Sequence, residues 1–455
     1  MTEGGPTTLT ASEAAAAIAA GALSAEEYAR ACLGRIEAIE KDVHAFAHLD
    51  PAHVLSQARA LDERRADGRP TGPLHGIPVG VKDIFDTEDY PTECGSPLLA
   101  GRRPWRDATA VARLRAAGAV IIGKTVTTEF AFYHPGPTRN PHDLARTPGG
   151  SSSGSAAAVA AGMVPLAIGS QTNGSVIRPA AFCGVFGAKP SHGLISRAGA
   201  LMLSQHLDHV GIFARSLPDL ALLLDVLVGY DPRDADTRPL AAPAFRRLLA
   251  EAPPLAPKFA LVRTPVWQQA DAQTREAFEQ LARRLGDERI QTVDLPKTFS
   301  AAWDDQRVIM AADMAHRLGE LVERGGERSS RTLRDFLAEG RSVPAVRYLA
   351  ARDQARRYAA GLAEIFTYHD AIITPATLGI APKGNATGSP VFCSLWTLVG
   401  LPVLSLPLLE GEHGLPLGVQ LVGSAGDDAR LLRTARWLLD QLGGRRKSPR
   451  RRAAG

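Results

Sequence analysis

Cysteine is scarce: Cys32, Cys94, Cys183 and Cys393 are four thiols in 455 residues, far apart and without a C-x-x-C pair. That excludes a disulfide framework and a zinc knuckle, and a reducing cytoplasm is the expected compartment. No apolar run reaches the ~20 residues of a membrane helix, the richest being broken by Gly162 and Pro165. The opening MTEGGPTTLT has no apolar segment of a secretory signal. Net charge is small as well, +4 in all. Arg445, Arg446, Lys447, Arg450, Arg451 and Arg452 exceed that sum, and without these six the rest of the chain stands at −2. Such a body has no electrostatic footprint for nucleic acid, and the basic end, residues 444–455, is expected to be a solvated tail. No cluster of metal ligands and no phosphate loop occurs, since GGSSSGS lacks the lysine of a P-loop, so no metal and no cofactor is expected.

What is present is a globular composition, 45% hydrophobic and 22% charged, with strand and helix signals in alternation. Ser24 and Glu27 form a capping box, and Tyr28, Cys32, Ile36 and Ile39 follow at helical spacing. IPVGV reads as a buried strand ending at Lys82 and Asp83, a helix starts near Asp107 and closes at Gly118, and AVIIG is the next strand. The alanines from Ala156 to Ala161 predict a helix and VPLAIG a third strand. From about Asp231 to Tyr368, Arg, Glu and Ala recur at helical periods, as around Phe278, Leu281 and Leu285, and strand signals are few. This predicts a helical excursion. Strands return in AIIT, LPVLSLPL and GVQLVG, and Leu431, Leu432, Ala435, Leu438 and Leu442 mark a closing helix. The expectation is an α/β fold with one continuous sheet in a single domain, residues 1–443.

Acyl transfer from an amide needs a nucleophile, a base, and donors aimed at the developing oxyanion. Histidine is the usual base, but QHLDH offers neither zinc-helix spacing nor a neighbouring nucleophile, so His206 and His209 read as polar groups satisfied in a turn. Lysine serves where burial or a nearby positive charge lowers its pKa from ~10.4. Lys82, at the end of an apolar strand, is placed for that. Taken alone, Lys82 beside Asp83 also reads as a surface ion pair, SQTNGS as a polar turn, and GGSSSGS as a linker.

Together the segments GPLHGIPVGVKDIFDT, DATAVARLRAAGAVIIGKTVTTEFA, TRNPHDLARTPGGSSSGSAAAVAAG and GSQTNGSVIRPAAFCGV, with AIITPAT and GLPVLSLPL following, resemble the amidase signature family in order and spacing. The resemblance spans nearly the whole chain. It implies a single amidase-type domain with a mixed central β-sheet flanked by helices on both faces. It also implies a Ser, cis-Ser, Lys triad: Ser175 of NGSV as nucleophile, Ser151 as the bridging serine 24 residues earlier, and Lys82 of VKD as base. The family's peptide before the bridging serine is cis, and Gly149 and Gly150 suit such a turn. Backbone N–H groups of Thr172, Asn173, Gly174 and Ser175 would form the oxyanion hole. Asn173 stands where the family commonly has glycine, and Gln171 where it has aspartate. Asparagine tolerates a left-handed backbone best among non-glycine residues, so the nest is expected to survive.

The order GSVIRPA puts an arginine at Arg178, which is similar to the bacterial malonamidases. There the arginine, with the residue matching Ser170, contacts the free carboxylate of the substrate. A guanidinium pairs bidentately with a carboxylate. A bracing role for Arg178 stays open beside it. The acyl pocket is expected between Thr125–His134, with Thr128, and Phe392–Thr397, with Trp396. The expected activity is an amidase acting on a small acyl amide that carries a carboxylate, malonamate-like. The alternatives are a neutral or aryl amide, or the amidase subunit of a tRNA-dependent amidotransferase. A catalytically silent binder is disfavoured by the complete triad. Expected partners are the small-molecule amide and, from the family, a second copy in a homodimer, with no nucleic acid and no membrane.

Overall fold

The computed structural model describes residues 5–443; the expected basic tail lies outside the described residues. The capping box of Ser24 and Glu27 forms and starts the helix Ala25–Val43, which buries Tyr28, Cys32 and Ile36 on one face. The helix Thr109–Ala116 buries Val111 and Leu114 and ends as the chain turns at Gly118, φ 86°. In both places the apolar spacing fixes the buried face and the cap fixes where the helix begins or ends.

Eleven strands make one sheet: β1 Phe46–Leu49, β2 Pro78–Lys82, β3 Val120–Thr125, β4 Leu166–Gln171, β5 Phe186–Lys189, β6 His209–Ala214, β7 Phe259–Arg263, β8 Ile290–Asp294, β9 Ala371–Pro375, β10 Val403–Glu410 and β11 Pro416–Val422. Their spatial order is β1-β3-β2-β4-β6-β5-β10-β11-β9-β7-β8. The sheet is mixed: β2 runs parallel to β3 and β4, β7 parallel to β8 and β9, and the other pairs are antiparallel. Every residue of β2, β3, β6, β9 and β11 is buried, so helices cover both faces of the central strands. One apolar core runs through the chain from Ala11 to Leu442.

The stretch 231–368 departs from the expectation of a helical excursion. It holds the helices Ala272–Leu285, Ala302–Gly325, Arg331–Ser342 and Ala345–Tyr368, but also β7 and β8, which extend the main sheet beyond β9. Both are five residues long, and β8, at the sheet edge, exposes most of its residues. An edge strand of that kind carries no apolar run to announce it, whereas β7, inside the sheet, is marked by the short buried run FALV. No described helix is long and apolar enough to cross a membrane.

Candidate active site

Lys82 closes β2 and is fully buried. Its Nζ donates to Ser151 Oγ at 2.7 Å and to Ser170 Oγ at 2.8 Å. Asp83 does not pair with it: Asp83 sits 2.9 Å from Lys124 Nζ, both side chains buried, so the surface pair read as an option is absent. Burial pushes the Lys82 amine down to about 7, against the opposing pull of Asp208.

The glycine-serine stretch is fixed structure. Gly149 has φ 84°, and a Cβ there would lie 2.9 Å from the Pro179 main chain. At Gly150 a Cβ would lie 2.7 Å from the Thr387 methyl. The Gly150–Ser151 peptide is cis. Ser151 to Ser155 are all buried, and the helix Ser153–Ala160 follows directly. Ser152 N–H reaches Ser175 O at 3.4 Å, joining this turn to the loop that follows β4.

In that loop Ser175 is 8% exposed and Ser151 2%. Among the described residues, the N–H groups of Asn173, Gly174 and Ser175 donate to no protein acceptor. Three consecutive unused donors beside a serine hydroxyl suit an anionic oxygen. Asn173 corrects the backbone expectation, because its φ is not left-handed. Its side chain is used instead: Ser394 Oγ donates to Oδ1 at 2.6 Å, and Nδ2 reaches Gln306 Oε1 at 3.3 Å and Tyr133 Oη at 3.4 Å.

Gln171, noted in the sequence only as a departure, organises this loop. Its Oε1 accepts from Val176 N–H at 2.8 Å and Ile177 N–H at 3.0 Å, the first donors of the helix Ile177–Cys183. Its Nε2 donates to Thr397 Oγ1 at 2.9 Å, and Thr397 in turn donates to Asn173 O at 2.6 Å. Gln171→Met would strand two buried donors and is expected to cost about 2 kcal/mol. Urea unfolding with an unchanged denaturant slope would check it.

Arg178 is 2% exposed; Nη2 donates to Gly150 O at 2.6 Å, while Nε and Nη1 have no partner among the described residues. Ser170, the other residue expected at the substrate carboxylate, accepts from Lys82 through its hydroxyl oxygen. Thr128 is buried, donates to Phe132 O, and packs its methyl toward Gly150. Trp396 corrects the pocket expectation. It is fully buried in the core of the helix Val391–Leu398, while Cys393, Ser394 and Thr397 of the same helix face the loop. Gln306 also reaches this loop, accepting from Asn173 Nδ2 and donating to the Thr172 carbonyl, and nearby the Phe132 ring stacks 4.6 Å from Phe336. Gln306 gave no signal in the sequence, being one polar residue on an amphipathic helix. His209 opens β6, and its Nδ1–H donates to Leu207 O at 2.7 Å, outside this cluster. Among the described residues no group of His, Cys, Asp or Glu is arranged to hold a metal.

The family described as Amidase matches residues 27–432. The chain is 37% identical to one subunit of the glutamyl-tRNA(Gln) amidotransferase of Chloroflexus aurantiacus, covering 93% of this chain and 95% of that one. The corresponding subunit of Anaeromyxobacter sp. is 38% identical, with 95% and 96% covered. A chain solved in a vestigial protein complex that bears on the origins of an s-triazine catabolic enzyme superposes with TM-score 0.89 at 31% identity, over 95% of this chain and 98% of that one. The peptide amidase of Stenotrophomonas maltophilia gives 0.84 at 30%, over 96% and 97%.

Proposed function

The chain belongs to the amidase signature family and is a hydrolase of C–N bonds, and from that premise we propose that it cleaves a small acyl amide through an acyl-enzyme on Ser175. The observation that carries the reading is the 2.7 Å contact of a buried Lys82 amine with Ser151 Oγ, with no carboxylate among the described residues bonded to the amine. A lysine without an ion-pair partner in a dry site is in good part neutral at pH 7 and can accept a proton. Lys82 takes the Ser151 proton as Ser151 takes that of Ser175, and a hydroxyl suits the middle position because it donates and accepts at once. Ser175 Oγ then attacks the carbonyl, whose oxygen becomes anionic against the N–H groups of Asn173, Gly174 and Ser175, with Thr172 at the edge of the same nest. The leaving amine collects the relayed proton, and water hydrolyses the ester by the reverse path.

The acyl part carries a carboxylate, as in the malonamidase likeness. Support comes from Arg178, whose Nε and Nη1 are buried without partners, since unpaired buried donors are costly until an anion meets them. Ammonia release from malonamate, propionamide, glutamine and an aryl acetamide tests this in wild type and Arg178→Ala. The expected result is a preference for malonamate that Arg178→Ala lowers by roughly a hundredfold, leaving neutral amides near their starting rates. Equal losses on all substrates would make Arg178 a brace for the Gly150 carbonyl.

The relatives support the amidotransferase reading better than a free-standing amidase, at 37% identity across nearly the whole chain. The two part on what the chain needs. A free-standing enzyme turns over alone, as the homodimer expected of the family, while an amidotransferase component works only with partners, which sedimentation and co-purification from native cells distinguish. The catalytic domain is residues 1–443, and four buried free thiols support a reducing cytoplasm.

A further inference from the structure

We propose that Asp208 is a positioning residue of this reaction, fixing the nucleophile loop through Thr172 and supplying the negative charge that the Lys82 ammonium meets when it takes up its proton. The inference rests on the roles given above to Lys82 and Ser175. Gln171 pairs with His209 across β4 and β6, so Thr172 and Asp208 form the next pair, just beyond the ends of the two strands. Their side chains meet there, Thr172 Oγ1 donating to Asp208 Oδ1 at 2.7 Å. The other carboxylate oxygen accepts from Leu203 N–H at 2.6 Å and Ser204 N–H at 3.1 Å. On the far side of β4, Val81 pairs with Ile168, and the next residue, Lys82, reaches Ser170. Three adjacent strands thus bring the amine, the serine-rich loop and the carboxylate to one edge of the sheet.

Asp208 is buried and makes no ion pair of its own among the described residues. Arg197 commits its guanidinium to Asp234 and Asp236 and touches only the Asp208 main-chain oxygen. Among the described residues the charged or titratable groups that act on Lys82 are Asp208 and the Cys94 thiol, which burial pushes up to about 12 and so keeps neutral. Those facing Asp208 are Lys82 and Arg197. Burial pushes the Asp208 carboxyl up to about 6, while its three hydrogen-bond donors hold it down, so it is ionised at neutral pH. An ammonium formed in a dry site is expensive unless a fixed anion is already present. Asp208 is that anion. It makes Lys82 a stronger base than burial alone would allow.

The test reads the rate of Ser175 labelling by a fluorophosphonate against pH, which does not require the natural substrate. In wild type the rate is expected to rise through a midpoint near 7 as Lys82 loses its proton. Asp208→Asn can keep the loop contacts, with the Thr172 hydroxyl turning to accept, but lacks the charge. Its midpoint should move down by about one pH unit, and its plateau rate should fall by about tenfold. Thr172→Val should slow labelling at every pH with the midpoint in place. Should Asp208→Asn fail to fold, Asp208→Ser carries the same expectation, since its hydroxyl is uncharged and smaller. An unmoved midpoint in the Asp208 variant, or an equal movement in Thr172→Val, overturns the inference while leaving the roles of Lys82 and Ser175 standing. A wild-type protein that is never labelled at Ser175 overturns those roles and this inference with them.

Discussion

Replacing Lys82 by methionine is expected to abolish measurable amide hydrolysis, a loss of roughly a thousandfold or more, while the protein still folds. The methionine fills similar space, so the effect is chemical: Ser151 loses the acceptor 2.7 Å away to which its proton would go. Wild-type kcat/KM should decline below pH about 7, where the amine becomes an ammonium, and the residual activity of the variant should lack that decline. An acid limb unchanged in Lys82→Met would assign the titration to another group and remove Lys82 as the base.

The same substitution has a stability signature with a fixed sign. In the unfolded chain Lys82 titrates at its ordinary value of 10.5, and in the folded protein at about 7. Below pH 7 both states carry the proton and folding bears the full cost of burying an ammonium. Between 7 and 10.5 only the unfolded state binds it, so wild-type stability gains from this group as pH rises through that window. Methionine has no such term. Denaturation at several pH values should therefore show the stability of Lys82→Met relative to wild type greatest at pH 7 and below and declining toward pH 10. Lys189, buried and shifted in the same direction, is present in both proteins and cancels from the comparison.

The proposed triad of Lys82, Ser151 and Ser175 is legible in the sequence through the family resemblance, and the runs that carry it are constrained by backbone. Gly149 cannot carry a Cβ against Pro179, and Gly154 cannot carry one against the Ala45 and Val126 main chains, so glycines and small serines accumulate around the proposed site. The central strands are legible for a related reason, since full burial on both faces demands continuous apolar runs. The chain hides what depends on a partner from far away. Gln306 contacts Asn173 and the Thr172 carbonyl only because the helix Ala302–Gly325 folds back onto the loop. Asp208 looks like one polar residue in a turn until β6 is paired with β4. Asn173 and Trp396 mislead in opposite ways. The first is chosen for its side-chain bonds and not its backbone, and the second is an aromatic whose burial serves the core. Residue type alone does not reveal which demand a position answers.

Ser151→Ala tests whether the three side chains act as one unit. Removing the hydroxyl leaves Lys82 its contact with Ser170 but interrupts the only hydroxyl proposed to pass a proton between the amine and Ser175. The expected loss is again roughly a thousandfold in kcat, with KM for the amide little changed, because Ser151 is 2% exposed and offers little surface to a substrate. The decisive comparison is the double variant Lys82→Met with Ser151→Ala. If Lys82 acts only through Ser151, the second change has nothing left to remove, and the double variant should be no slower than the slower single one. Independent contributions would instead multiply toward a millionfold loss. Multiplying losses would mean that Lys82 deprotonates Ser175, or assists the leaving amine, by a path that bypasses Ser151, and the relay would have to be redrawn.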